Sequence, residues 1–135
     1  MDRYRNTPRL EEFTTSEINV LSRLDCPHII RFVEILRTAS NYYLVYEYCN
    51  GGTLEQLLKK KGVLPENEAL EIFRQLLDAF RALLKENILH RDLKPANLLF
   101  HEGVLKVADF GFCKELMHRG QMTNTLIGSP MYMAP

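Results

Sequence analysis

The chain has 135 residues, one domain's worth, and 46% of them are apolar, enough to bury a core. Basic and acidic residues number 17 each with no basic block, so composition gives no support for binding nucleic acid or a membrane surface. No apolar run reaches transmembrane length, the first residues carry no signal-type apolar core, and Cys26, Cys49 and Cys113 are scattered without metal spacing, which suits free thiols in a reducing, cytoplasmic setting.

Thr7-Pro8 reads as a helix start, with threonine as the cap and proline at the first helical position. Leu10, Phe13, Leu21 and Leu24 share one helical face, with Ile18 beside it. Cys26-Pro27 is the predicted stop. Glu17 falls at the edge of that stripe, and periodicity alone makes it a solvated glutamate. Ile29 to Thr38 is a predicted strand, followed by a polar turn at Ala39-Ser40-Asn41 and a second, aromatic strand from Tyr42 to Tyr48. The two form an expected antiparallel pair. Cys49-Asn50-Gly51-Gly52 breaks the pattern, and a short helix is predicted from Thr53 to about Lys60, with Leu54, Leu57 and Leu58 facing inward.

Pro65 to Lys85 is the strongest helical pattern. Ala69, Ile72, Phe73, Leu76, Leu77, Phe80, Leu83 and Leu84 keep the period, which predicts a helix packed inside a bundle. Asn87 is its stop, and Ile88-Leu89 a short buried strand. Two further strands, Leu98 to Phe100 and Val104 to Val107, flank a hairpin turn at His101-Glu102-Gly103. Phe112 to Asn124 is polar and reads as a mobile loop.

Between these elements stand His90-Arg91-Asp92-Leu93-Lys94-Pro95-Ala96-Asn97 and, twelve residues after Asn97, Asp109-Phe110-Gly111. Singly, Asp92 reads as a turn cap, Lys94 as a solvated lysine and Asn97 as a turn amide. Two carboxylates and one carboxamide on short loops between apolar strands suit a magnesium–phosphate site. His90, flanked by Leu89 and Leu93, reads as a packing histidine and not as a general base.

The two runs match H-R-D-L-x-x-x-N and D-F-G, and on them the chain resembles the eukaryotic protein kinases; Lys94, two residues after Asp92, points to the serine/threonine kind. The resemblance implies an α+β, protein-kinase-like fold, ATP and Mg2+ as nucleotide and metal, and a protein substrate. It makes Asp92 the acceptor of the substrate hydroxyl's proton, Lys94 a counter-charge to the transferring phosphoryl group, and Asn97 and Asp109 the magnesium ligands. Glu47-Tyr48-Cys49 becomes the hinge, where the backbone groups of Glu47 and Cys49 read adenine, with Tyr46 as gatekeeper and Leu99 beneath the base. Glu17 becomes the helix C glutamate that pairs with a lysine of the third strand. His90 joins Phe110, Leu21 and Phe32 in a packed spine. Arg91 meets an activation-loop phosphate, Thr125 is the phosphorylated residue, and Ser129 touches Asp92 and Lys94. Residues 128–135 resemble G-[ST]-P-x-Y-M-A-P.

By the same resemblance, residues 1–48 are a small-lobe portion with helix C and two strands. Residues 49–135 hold the hinge, helices D and E, the catalytic loop and the activation segment. The family's glycine-rich loop and third-strand lysine are not among these residues, and the chain stops one residue before the glutamate of A-P-E. The expectation is a truncated domain, with exposed apolar surface and little activity when isolated. Residues 47–54, 109–112 and 128–133, together with Tyr4 to Pro8, look like the ULK-type, autophagy-initiating branch, and Phe112 after the glycine points to serine over threonine. A catalytically silent kinase-like scaffold is the competing reading, although such scaffolds lose an equivalent of Asp92, Asn97 or Asp109. A small-molecule phosphotransferase is the third, and the peptide-holding Gly128-Ser129-Pro130 stretch argues against it.

Overall fold

The computed structural model describes residues 18–38, 41–116 and 128–133. The helix start at Thr7-Pro8, Glu17, the turn residues Ala39 and Ser40, the 117–124 part of the polar loop, and Thr125 lie outside them.

Residues 18–21 are helical and bury Val20 and Leu21. The helix ends well before the predicted stop at Cys26-Pro27. Its last turns tighten, with the Arg23 N–H donating to Val20 O and the Leu24 N–H to Leu21 O, both at 3.3 Å. The first strand, β1 (Phe32–Arg37), pairs antiparallel with β2 (Tyr42–Tyr46), and Phe32 lies opposite Tyr46. The strand starts three residues later than the alternation predicts. Ile29 and Ile30 are consecutive and both buried, which a strand with one wet face does not allow. Residues 28–30 attach elsewhere: Ile30 N–H donates to Val107 O and Val107 N–H to His28 O, each at 2.9 Å. An irregularity between Phe32 and Glu34 then resets the facing of the strand.

Helix α1 (Leu54–Lys61) starts from a capping box. Gln56 N–H donates to Thr53 Oγ1 at 3.2 Å, and Thr53 N–H donates to Gln56 Oε1 at 2.9 Å. Helix α2 (Glu66–Lys85) follows Pro65, as its pattern predicts, but only Ala79 and Leu83 are buried on it. Among the described residues Leu70, Phe73, Leu77 and Leu84 remain exposed, so the enclosing bundle is not formed by these elements. The helix ends at Lys85 with Glu86 as its cap, and Asn87 just beyond adopts φ 56, a left-handed conformation that asparagine tolerates.

Strand β3 (Ile88–Leu89) pairs antiparallel with β6 (Lys114–Glu115), a strand the polar composition after Gly111 did not show. Strands β4 (Leu98–His101) and β5 (Val104–Val107) form a hairpin, with Leu98 opposite Val107 and Leu99 opposite Lys106. Its turn is two residues long, Glu102 at φ 51 and Gly103 at φ 82, which suits the twist of a tight hairpin. The core joins Val20, Leu21, Ile29 and Ile30 to Ala79, Leu83, Ile88, Leu98, Leu105, Val107, Ala108 and Phe110. Three antiparallel pairs with segregated helices make an α+β arrangement. No helix among the described residues is long and apolar enough to cross a membrane, and no disulfide joins the cysteines.

Candidate active site

The site is built on the two ends of the β4–β5 hairpin. Pro95 opens a single 3-10 turn, Pro95–Asn97, which the Asn97 N–H closes by donating to Lys94 O at 2.9 Å. Because Leu98 faces Val107, the residues just outside the hairpin also face each other: Ala108 N–H donates to Asn97 O at 2.9 Å. Pairing in the sheet therefore sets Asp109 beside the loop that carries Asp92.

Asp92 is buried, 3% exposed, and its carboxylate is fully engaged. Lys94 Nζ donates to Oδ2 at 2.7 Å, Asn97 Nδ2 donates to the same oxygen at 3.0 Å, and Ser129 Oγ donates to Oδ1 at 2.8 Å. Lys94 Nζ also donates to Ser129 Oγ at 3.1 Å. Burial opposes the charge on Asp92, but these donors outweigh it and hold its carboxyl below the usual carboxylate range. The hydrogen bond to Asp92 in turn holds the Lys94 ammonium above the ordinary lysine value. The pair is ionised at neutral pH and poised around a hydroxyl.

Asn97 Nδ2 donates to Asp92 O at 2.9 Å as well as to the carboxylate. Both acceptors are oxygens, so the orientation of the amide is fixed by chemistry and Oδ1 is turned the opposite way. Asp109 is exposed and sits at φ 64. A carboxylate and an amide oxygen fit magnesium, which takes hard ligands and completes its shell with water and phosphate oxygens. Among the described residues no three His, Cys, Asp or Glu side chains cluster, so no all-protein cage competes with that donor set.

His90 is 3% exposed and its tautomer is set by its neighbours: Nε2 donates to Ala108 O at 3.0 Å while Nδ1 accepts the Asp92 N–H at 3.3 Å. Burial pushes the ring's pKa down, against the pull of the Ala108 carbonyl and the two acids. A neutral imidazole with both nitrogens occupied is a support and not a proton carrier. It packs edge-on against Phe110, centroids 4.9 Å apart, and Phe110 shares the core with Leu21 and, at its margin, Phe32. Arg91, at φ 66, donates through Nε to Phe112 O at 2.7 Å and through Nη2 to Cys113 O at 3.5 Å. Glu17 and Thr125 cannot be placed among these contacts, since both lie outside the described residues.

The segment after β2 docks on the same hairpin. Gly51 N–H donates to Phe100 O at 2.8 Å and Phe100 N–H to Gly52 O at 2.9 Å, with an isolated bridge from Thr53 to Leu99. A Cβ on Gly51 would stand 2.7 Å from Phe100 Cβ, so glycine permits the close approach of residues 51–53 to the Leu99–Phe100 edge of the hairpin. Tyr46 is half-buried, edge-on to Phe32 at 5.9 Å. Burial and the charge of Glu47 push the Cys49 thiol up, so it stays protonated. Sequence reasoning missed Lys106, whose Nζ lies 2.8 Å from Glu47 Oε1. The available signal was a lone lysine between Leu105 and Val107, both fully buried.

A family model described as the protein kinase domain matches residues 1–135. The serine/threonine-protein kinase ATG1c of Arabidopsis thaliana is 42% identical over the whole chain, which covers 19% of that relative. The serine/threonine-protein kinase ATG1b of the same plant is 43% identical over 97% of the chain, again 19% of the relative. The serine/threonine protein kinase OSK3 of Oryza sativa subsp. indica is 41% identical over 93% of the chain and 25% of its own length. The chain thus spans about a fifth to a quarter of the curated relatives it matches.

Proposed function

The chain belongs to the protein kinase domain family, and from that premise we propose that it transfers the terminal phosphoryl group of ATP to serine or threonine hydroxyls of proteins. One observation carries the reading. Ser129 Oγ donates to Asp92 Oδ1 while accepting from Lys94 Nζ, at 2.8 and 3.1 Å. A substrate hydroxyl brought in beside Ser129 meets the same two groups, one to orient it and one to offset phosphoryl charge.

Phosphoryl transfer leaves little covalent work to the protein, and positioning with charge neutralisation supplies most of the rate. The low pKa of Asp92 makes it a weak base. It aligns the hydroxyl early and takes its proton only as the phosphorus–oxygen bond forms. Lys94 then faces the phosphoryl oxygens. Asn97 Oδ1 and the Asp109 carboxylate are the groups that would hold magnesium, and a bound ion would supply charge neutralisation to the phosphate oxygens. Adenine is read by the main chain of Glu47 and Cys49, with Leu99 beneath it and Tyr46 at the back. Glu17, Arg91 and Thr125 keep the regulatory roles the resemblance assigns, and residues 1–48 and 49–135 the two lobe portions.

The relatives named ATG1 support the ULK-type branch, and with it a cytoplasmic role in starting autophagy. No glycine-rich phosphate cradle of the G-x-G-x-x-G kind occurs within these 135 residues, so turnover by them alone is expected to be slow. The test is phosphate incorporation from Mg-ATP into a serine-containing basic peptide by the full protein. Asp92→Asn is expected to lower kcat by roughly 10²- to 10⁴-fold with the KM for ATP little changed. Equal activity in the variant refutes the role of Asp92. ATP binding without transfer by the wild type favours the silent scaffold.

A further inference from the structure

Lys106 lies apart from the groups around Asp92, yet it is tied to the nucleotide side of the site. Its Nζ sits 2.8 Å from Glu47 Oε1, and the two side chains are only 13% and 14% exposed. The same carboxylate oxygen accepts the Arg31 N–H at 2.8 Å. In the other direction, Glu47 N–H donates to Arg31 O at 2.9 Å.

These bonds depart from a regular ladder in one respect. Phe32 faces Tyr46, so Arg31 faces Glu47. A regular antiparallel pair of this kind exchanges both main-chain bonds, and the Arg31 N–H takes the Glu47 carbonyl. Here the Glu47 side chain takes that N–H instead, and among the described residues no donor meets the Glu47 carbonyl. Lys106 is what keeps the carboxylate there. A second charge-assisted donor on the same oxygen holds one rotamer of a side chain that otherwise turns to water. Lys106 is also directly opposite Leu99 in the β4–β5 register, so the floor of the base site and the clamp on its edge belong to one rigid hairpin.

The geometry points to Lys106 as a positioning residue for recognition of the base: by pinning the Glu47 carboxylate on the Arg31 N–H, it releases the Glu47 main-chain carbonyl toward the exocyclic amino group of adenine. The inference rests on the kinase reading above. It gives Lys106 a role in choosing a 6-amino purine over a 6-oxo purine, without contact to the nucleotide.

The test compares Mg-ATP with Mg-ITP, which carries an oxygen where ATP carries the amino group, in phosphotransfer by the full protein. Lys106→Met is expected to raise the KM for ATP about 10-fold, the worth of one hydrogen bond, with kcat within about 2-fold and the KM for ITP unchanged. Lys106→Arg, which keeps the charge and the donor, is expected to restore the preference for ATP. The swap Glu47→Lys with Lys106→Glu keeps an ion pair but leaves the Arg31 N–H without its acceptor, so it is expected not to restore it. Equal losses for the two nucleotides in Lys106→Met, or recovery by the swap, overturn the inference and leave the kinase reading standing. A wild type that transfers phosphate from neither nucleotide overturns both.

Discussion

Gly128 offers the sharpest test of how residues 128–133 seat on the loop that carries Asp92. A Cβ at this position would lie 2.6 Å from Arg91 O, and the backbone adopts φ 130. Neither partner yields easily. Arg91 is itself at φ 66, with its guanidinium on the Phe112 carbonyl, and an L-residue at φ 130 is strained whatever the space. Gly128→Ala therefore carries a conformational cost of about 1–3 kcal/mol, relieved by moving Ser129 away from Asp92. That corresponds to a loss of roughly 5- to 150-fold in kcat/KM for peptide, while the KM for ATP stays within about 2-fold. Removing the hydroxyl alone, Ser129→Ala, deletes two hydrogen bonds to charged groups, of about 1.5–3 kcal/mol each. If Gly128 acts by seating Ser129, the double variant loses less than the two singles combined. Steady-state kinetics on the four proteins decides it. Strict additivity, or an unchanged Gly128→Ala, refutes the reasoning.

Asp109→Asn suits the left-handed backbone there and alters an exposed side chain, so melting is expected to stay within about 0.5 kcal/mol of wild type. Activity is expected to need far more magnesium, read by titrating the metal at fixed ATP. Phe110→Ala, at a ring 1% exposed, is expected to cost about 3–5 kcal/mol in urea unfolding. The folded-state pKa of His90 is depressed, so the unfolded chain binds more protons there and stability falls as pH drops below the ordinary histidine value of about 6.5. Asp92 and Glu47 are also depressed; their stabilisation is full above about pH 4 and is lost as pH falls through their lower folded values. Melting temperature is therefore expected to decline in two stages on acidification, and His90→Phe to remove the first. A flat profile between pH 7 and 5 in the wild type counts against a neutral, buried His90.

Motif spacing carried the family and most of the candidate site because its members are close in sequence or joined by one hairpin. Asp92, Lys94 and Asn97 fall within six residues, and the β4–β5 pairing brings Asp109 to them. Period carried α2 and both hairpins. It failed where two apolar neighbours are buried together: Ile29 and Ile30 look like the start of β1, yet the Ile30 N–H donates to Val107 O, the Ile29 N–H to Cys26 O, and His28 lies beside Leu105. It failed again at Lys114–Glu115, whose side chains carry no strand pattern because the pairing with β3 is made by the main chain.

The sequence by itself determined which chemistry is on offer: the acids, the amide, the lysine and the hydroxyl, with enough local turn and strand pattern to put them on loops between apolar segments. Only the tertiary structure decided how they are aimed. The tautomer of His90, the turned amide of Asn97 and the Glu47 carboxylate shared by Lys106 and the Arg31 N–H each depend on partners between 2 and 59 residues away. Local pattern does not encode such choices, because a hydrogen bond's direction is fixed by whichever group the packed core leaves within reach.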